Sequence, residues 1–277
     1  MPAAETEKRD RLLALAALAA PVLAGVIGFW LGGAPNTYSA VNLAALLLAG
    51  LLLLVPAIRQ DRWPETVACA VVVLLAASLL LGPETEGVRR WIAIGPMRLH
   101  CGMLILPALA AALPHLARPY GAATVAACAA LILLQPDLAS ASALFLGVVA
   151  GSSGIRPDGY VLLMRGSAAA GLVAAAFRPD PLSSVRFVET ALADGWSVSP
   201  LLGAAMAASL AAAVLIAPSI LTRTAPQLRH SARGLTAAMA GFVGLSLILP
   251  YPQPLIGFGA SPILGFGLAL AVLRQLR

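Results

Sequence analysis

Charged residues are scarce in this sequence. Asp, Glu, Lys and Arg make up 11% of its 277 residues, whereas about 25% is usual for soluble globular domains. Apolar residues make up 60% and extend over the whole length, which leaves no stretch for a separate soluble domain. We therefore predict an all-α, polytopic bundle of transmembrane helices that forms a single integral membrane domain over residues 1–277.

Cysteine and histidine, the usual ligands of zinc, are also few. The three cysteines, Cys69, Cys101 and Cys128, lie in or beside apolar runs without a CxxC spacing, so we expect them to pack between helices. The sequence also lacks GxSxG, HExxH and Walker motifs, which removes the support for soluble hydrolase or nucleotide-driven chemistry. No metal site and no cofactor is indicated, and a divalent cation stays an open alternative.

Glycine, proline and charged residues interrupt the apolar sequence. The interruptions leave about ten segments near the length that spans a membrane: 12–32, 38–57, 65–83, 101–117, 119–135, 137–153, 160–177, 197–222, 234–250 and 256–273. If the N-terminus is cytoplasmic, 13 of the 18 Lys and Arg residues fall on the inner side. That asymmetry follows the positive-inside rule. We therefore predict about ten transmembrane helices with both termini in the cytoplasm, and the basic charge needs no nucleic-acid partner.

Arginines in two predicted external loops break this inside bias. Arg89, Arg90 and Arg98 fall in the loop 83–100, and Arg186 falls in the loop 178–196. Guanidinium groups match the oxygens of a pyrophosphate, and a lipid-linked pyrophosphate would meet them at the outer face of the membrane. Contact with phospholipid headgroups is the alternative that composition leaves open.

Three stretches of the sequence share their order and spacing with a known family. They read "GVRRWIAIGPMRL", "LILLQPDLASA" and "LPYPQPLIGFGASPILGFGLALAVL". In this order on a ten-helix chain they resemble the SEDS family of RodA/FtsW-like proteins, over residues from about 85 to 275. The matched positions are Arg89, Arg90 and Trp91, then Gln135, Pro136, Asp137 and Leu138, then Pro254, Gly259 and Ser261.

The resemblance implies a peptidoglycan glycosyltransferase at the outer face of the bacterial cytoplasmic membrane. SEDS proteins polymerise lipid II into glycan strands in cell-wall synthesis for cell shape or cell division. Their usual partner is a single-span penicillin-binding transpeptidase, although another membrane partner stays open here. Lipid II or a related lipid-linked sugar is the expected substrate. We expect substrate contacts from Arg89, Arg90, Trp91, Gln135, Arg186 and Ser261.

The sequence departs from the family at the expected acids. The loop 178–196 is only about 20 residues long, and the family carboxylate regarded as catalytic aligns with Arg186. The nearest acid is Glu189, three residues on, which we predict to be the base that activates the acceptor hydroxyl. Because the two residues lie three apart, an ion pair between Glu189 and Arg186 that merely holds the loop is the alternative.

Asp137 is the single acid within or bordering residues 99–155, the predicted central spans. An acid there normally faces a bundle interior or a wet cavity, because exposing it to lipid costs several kcal/mol. Since it follows Pro136 and precedes an apolar segment, it is also placed to cap the next helix. We predict such a cap, a direct role in substrate or cation binding, or both, and we group Asp137 with Glu189 as a catalytic candidate.

Two other functions stay open. The lost acids and the short loop fit a catalytically inactive SEDS-derived scaffold or regulator of an envelope-assembly complex. A transporter of lipid-linked sugars is the third hypothesis, but transporters of this kind carry internal repeats and broken helices near the midplane, and we find no convincing repeat. The sequence neither identifies the partner nor distinguishes elongation from division.

Overall fold

The computed structural model describes residues 3–55, 62–223 and 225–276. Long runs of Ala and Leu, both strong helix formers, fold into helices whose backbone hydrogen bonds are satisfied internally, as lipid requires. The helices are α1 (Ala3–Leu31), α2 (Asn36–Leu54), α3 (Trp63–Leu81), α4 (Cys101–Ala112), α5 (Arg118–Leu134), α6 (Leu138–Gly151), α7 (Gly159–Ala176), α8 (Ala191–Val198), α9 (Pro200–Thr222), α10 (Arg229–Ile248) and α11 (Ala260–Gln275). Short 3-10 turns at Leu113–His115 and Pro226–Leu228 follow α4 and precede α10.

The predicted all-α class is confirmed. Six helical segments of the described chain are long and apolar enough to cross a membrane: α1, α2, α3, α7, α9, and α10 with the turn before it. The shorter apolar helices α4, α5, α6 and α11 occupy the other four predicted segments. Each predicted segment therefore contains an apolar helix, while ten membrane crossings and cytoplasmic termini stay predictions.

The structure contains two elements that the apolar pattern does not predict. One is α8, a short helix that precedes α9. The other is an antiparallel hairpin of β1 (Trp91–Ile94) and β2 (Met97–His100), in which Trp91 lies opposite His100. Its two strands are joined by Gly95 and Pro96, and Gly95 has a φ of 58°, in the left-handed region that glycine adopts without strain. The sequence predicts a loop at these residues, because four-residue strands are too short to show an alternating pattern.

Three helices begin close together beneath the hairpin. α4 starts at Cys101 directly after β2, α6 starts after Asp137, and α11 starts after Gly259. The approach is close enough that a Cβ on Gly102 would lie 1.9 Å from Ser140 Oγ. Glycine at this position therefore lets α4 and α6 meet, and the small residue brings the starts of both helices to one place.

Ion pairs tie the opposite end of the bundle together. Arg223, directly after α9, donates to the fully buried Asp10 of α1 over 2.7 Å. Arg274, near the end of α11, donates to the backbone carbonyl of Leu53 in α2 and lies 3.7 Å from Glu7. Because α9 runs from the loop 178–196 to Arg223, these contacts lie at the end of the bundle that is remote from the hairpin.

Candidate functional site

A buried ion cluster lies under the hairpin, with Arg90 at its centre. The Arg90 side chain is 3% exposed, and its Nη2 donates to Asp180 Oδ2 over 2.7 Å. Its Nη1 donates to the carbonyl of Pro136 over 3.5 Å and lies 3.9 Å from Asp137 Oδ1. The guanidinium also lies 5.1 Å from the ring centroid of Trp91, within the range of a cation–π contact. Arg90 thus joins the first motif, the second motif and the loop 178–196.

Asp137 caps α6, as the sequence predicted. Its Oδ1 accepts a hydrogen bond from the Ser140 N–H over 3.0 Å, and the residue is fully buried. His100 Nε2 lies 3.3 Å from the other oxygen, Oδ2. Arg90 Nη1, 3.9 Å from Oδ1, places a positive charge beside this buried carboxylate.

His100 connects this cluster to the last motif. Its Nδ1 accepts from the Met103 N–H over 3.2 Å, which puts the proton of the neutral ring on Nε2, 3.3 Å from Asp137 Oδ2. Its backbone N–H donates to Ser261 Oγ over 2.7 Å. Burial lowers the pKa of His100 from 6.5 to about 4, and Asp137 opposes that change. At neutral pH the imidazole is therefore uncharged. The positive charge beside Asp137 and Asp180 then comes from Arg90.

The loop 178–196 carries Glu189 beside this cluster. Glu189 Oε2 accepts a hydrogen bond from the Val185 N–H over 2.6 Å. Burial raises the pKa of Glu189, while this hydrogen bond and the charge of Arg90 lower it, and the net change is upward. Arg186 instead lies 3.4 Å from Asp194 and stacks over the ring of Phe187. The Glu189 carboxylate is thus held by the backbone, and the Arg186 guanidinium is used elsewhere.

Backbone hydrogen bonds fasten this loop to the segment before α11. Gln253 N–H donates to the carbonyl of Val188 over 2.9 Å, and Phe258 N–H donates to that of Phe187 over 2.8 Å. The Gln253 side chain also accepts from the Leu192 N–H over 2.7 Å. The buried Asn42 of α2 bridges the other side of the same segment, since it contacts the carbonyl of Gly257 and the N–H of Gly259.

A cavity of about 520 Å³ opens between the hairpin, α2 and the start of α11. Its lining includes Trp91, Arg98, His100, Val188, Phe258 and Ser261. Two of the predicted site residues, Trp91 and Ser261, therefore line the cavity. Arg90 and Asp137 lie behind His100, and Glu189 follows Val188 in the chain. The cavity is mostly apolar, and its polar lining residues are Thr37, Arg98, His100, Gln253 and Ser261.

The other predicted substrate residues have different surroundings. Arg89 is exposed and pairs with Glu84 over 3.0 Å. The buried side chain of Gln135 donates to the Leu75 carbonyl and to Ser78 Oγ, which joins the end of α5 to α3. Within residues 3–55, 62–223 and 225–276, no group of three or more His, Cys, Asp or Glu residues is arranged to hold a metal ion.

Three residues of the cluster were not predicted from the sequence: Asp180, His100 and Tyr251. Asp180 accepts from the Leu182 N–H, as expected of a turn residue, but it also forms the ion pair with Arg90, ninety positions away in the chain. The Tyr251 hydroxyl accepts from the Leu138 N–H over 3.3 Å, and burial raises its pKa. A lone acid between two prolines and a lone tyrosine give no signal of such distant contacts.

No family model matches the chain, and no curated protein matches it. The rod shape determining protein RodA of Thermus thermophilus is 24% identical with a TM-score of 0.67, over 94% of this chain and 95% of that chain. A point mutant of the same protein gives the same identity and TM-score. A chain from a structure described as the structural coordination of polymerization and crosslinking by a peptidoglycan synthase complex is 25% identical, with a TM-score of 0.63, over 93% of this chain and 96% of that chain.

These similarities extend over nearly the whole described chain, far beyond the three motifs. They agree with the order in which the motifs occur and with the apolar helices between them. The chain is a multi-pass membrane protein with the RodA/FtsW-like fold of the SEDS family.

Proposed function

We propose that this protein is a SEDS-like peptidoglycan glycosyltransferase that polymerises lipid II at the outer face of the bacterial cytoplasmic membrane. The observation that carries the proposal is the position of Glu189, in a RodA-like fold, beside the Arg90 cluster and next to Val188 in the cavity wall. A partly buried carboxylate with a raised pKa is a better base than an exposed one.

The reaction assigns separate tasks to the two acids. Glu189 accepts the proton of the acceptor hydroxyl, whose oxygen forms the new bond to the anomeric carbon of the donor sugar. The bond from that carbon to the pyrophosphate breaks at the same centre, and the electron pair leaves with the pyrophosphate. Arginines near the leaving group stabilise the growing negative charge. Asp137 orients Arg90 and caps α6, so its role is to position the site.

The cavity suits the lipid-linked part of such a substrate. Its apolar walls match a prenyl chain, and Arg98 lies among its lining residues. Trp91 and Ser261 are the predicted substrate residues with access to it, while Arg89 and Arg186 would first have to leave Glu84 and Asp194. The proposal includes a penicillin-binding transpeptidase as partner, because a similar chain comes from a peptidoglycan synthase complex.

The test is polymerisation of fluorescent lipid II by the purified full chain, alone and with candidate transpeptidases. Glu189→Gln keeps the shape and removes the base, so we expect a loss of polymerisation by a factor of about 10² or more. Glu86→Gln is the matched control, because Glu86 is an acid of the same face that also accepts a backbone N–H, from Ser183. It should retain activity within about twofold. Full activity of Glu189→Gln would eliminate this mechanism.

A scaffold without polymerase activity is the second candidate, and the pairing of the arginines favours it. Arg89, Arg90 and Arg186 each have a carboxylate partner, namely Glu84, Asp180 and Asp194. Guanidinium groups that are already neutralised bind an added pyrophosphate less strongly than free ones. Absence of polymerisation by the unmodified protein with every candidate transpeptidase present would favour the scaffold.

A further inference from the structure

A basic groove lies between α9 and α10 at the end of the bundle remote from the hairpin. It encloses about 580 Å³, and three arginines, Arg223, Arg229 and Arg233, are among its lining residues. Its position is independent of the cavity under the hairpin and of the proposed glycosyl transfer.

Among the described residues, two of the three arginines have no acidic partner. Arg223 is held by Asp10, but Arg229 and Arg233 form no ion pair with any residue in the ranges that the structure describes. They are exposed and lie one helical turn apart on α10, a spacing at which like charges repel. An anion placed between them would remove that repulsion and accept hydrogen bonds from both guanidinium groups.

Apart from the arginines, the groove has few polar groups that are available to hydrogen-bond a ligand. Its hydroxyl groups already donate to backbone carbonyls: Ser219 to that of Leu215 and Thr222 to that of Pro218 within α9, and Thr236 of α10 to that of Val214 in α9. The remaining lining is apolar, from Ala150, Leu215, Ala232 and Ala237. Leu215 is 58% exposed, on the surface that faces the bilayer in a membrane-spanning helix.

The groove therefore joins a cationic end to an apolar wall along a membrane-spanning helix pair. That combination matches one anionic phospholipid, with its phosphate at the arginines and an acyl chain along α9 and α10. A soluble phosphate compound would use the arginines and leave the apolar wall uncovered. We propose that this groove binds a single anionic phospholipid from the leaflet at the end of the bundle that also carries Asp10 and Arg223.

The test uses the full chain in phosphatidylcholine nanodiscs into which phosphatidylglycerol is titrated, with bound lipid measured by native mass spectrometry. Because a basic residue near an anionic lipid changes binding by about fivefold, Arg229→Gln with Arg233→Gln should weaken retention of phosphatidylglycerol by about tenfold or more. The control is Arg9→Gln with Arg156→Gln, which removes two exposed charges that are not among the groove's lining residues. It should change retention by less than about twofold.

A second variant separates the apolar wall from the charges. Ala237→Trp fills the groove and leaves every arginine in place, so retention of phosphatidylglycerol should also fall, while thermal stability in detergent confirms folding. Three results would overturn the proposal: equal retention of phosphatidylglycerol and phosphatidylcholine by the unmodified protein, equal retention by the groove and control variants, or a co-purifying single-span protein in the groove in place of lipid.

Discussion

The Arg90–Asp180 ion pair allows a quantitative prediction, because both side chains are almost inaccessible. Arg90 is 3% exposed and Asp180 is 13% exposed. Removing one partner of a buried pair costs about 3–5 kcal/mol in the free energy of unfolding. The two halves of the pair are not equivalent, however, since Arg90 has further acceptors at Asp137 and Pro136.

Arg90→Gln should be the more damaging change. It leaves Asp137 and Asp180 near each other with no cation between them, so we expect a loss of about 4 kcal/mol. Asp180→Asn leaves Arg90 beside Asp137, and we expect a loss of about 2 kcal/mol, in the middle of the range of about 1–3 kcal/mol for a buried polar group that loses its partner. The double variant should lose less than the sum, with a coupling energy of about 1–3 kcal/mol.

Unfolding by sodium dodecyl sulfate, followed by tryptophan fluorescence, measures these free energies. The matched control is the exposed pair Arg89–Glu84, whose side chains are 45% and 54% exposed. Arg89→Gln and Glu84→Gln should each cost less than about 1 kcal/mol. The reasoning fails if Asp180→Asn is as harmless as Glu84→Gln, or if the losses from Arg90→Gln and Asp180→Asn simply add.

Three further predictions concern pH, orientation and the segment before α11. Because the pKa of His100 falls from 6.5 to about 4 on folding, the unfolded chain takes up a proton first as the pH drops, so thermal stability should fall between pH 6.5 and pH 4 by up to about 3 kcal/mol. His100→Asn keeps an acceptor for the helix cap and should flatten that pH dependence; an unchanged slope would contradict the assignment. Cysteines placed at the exposed Ser183 and Gln227, after Cys69→Ser, should label with an impermeant maleimide from outside and inside respectively, and the reverse pattern would refute the topology. Asn42→Ala should cost about 2 kcal/mol or more in the free energy of unfolding, because it leaves the buried Gly257 carbonyl and the partly buried Gly259 N–H unpaired, whereas a neutral result would show that the segment adjusts.

The fold was largely predictable because lipid imposes a strong compositional requirement. Ten apolar segments predicted the positions of the apolar helices, since each break in hydrophobicity marks a chain turn. The hairpin at residues 91–100 was missed, because its strands span only four residues each, too few for an alternating pattern to distinguish them from a loop. The length of α4, which ends at Ala112 before a 3-10 turn at Pro114, was also beyond the hydropathy pattern.

The motifs of the site could be predicted from the sequence, but the interaction partners of their charged side chains could not. Asp137 could be recognised as a helix cap from the proline before it and the small residues after it. The partners of Arg90 could not, because Asp180 and Pro136 come from distant parts of the chain and meet only through the packing of helices. For the same reason, the spacing in the sequence suggested an ion pair between Arg186 and Glu189. In the folded loop, Arg186 pairs with Asp194, and Glu189 accepts a hydrogen bond from the Val185 N–H.

The short loop before α8 is fixed at both of its faces, by Asp180 to Arg90 and by Phe187 and Val188 to the segment before α11. A chain segment with this many attachments has lost most of its conformational entropy before any ligand arrives. Binding of a ligand therefore does not have to offset the entropic cost of ordering this loop, which is the advantage of preorganisation. The loop is also restricted in its movement. It cannot close over a ligand in the cavity without first breaking the buried ion pair between Asp180 and Arg90, so the ligand has to bind against the loop in its present position.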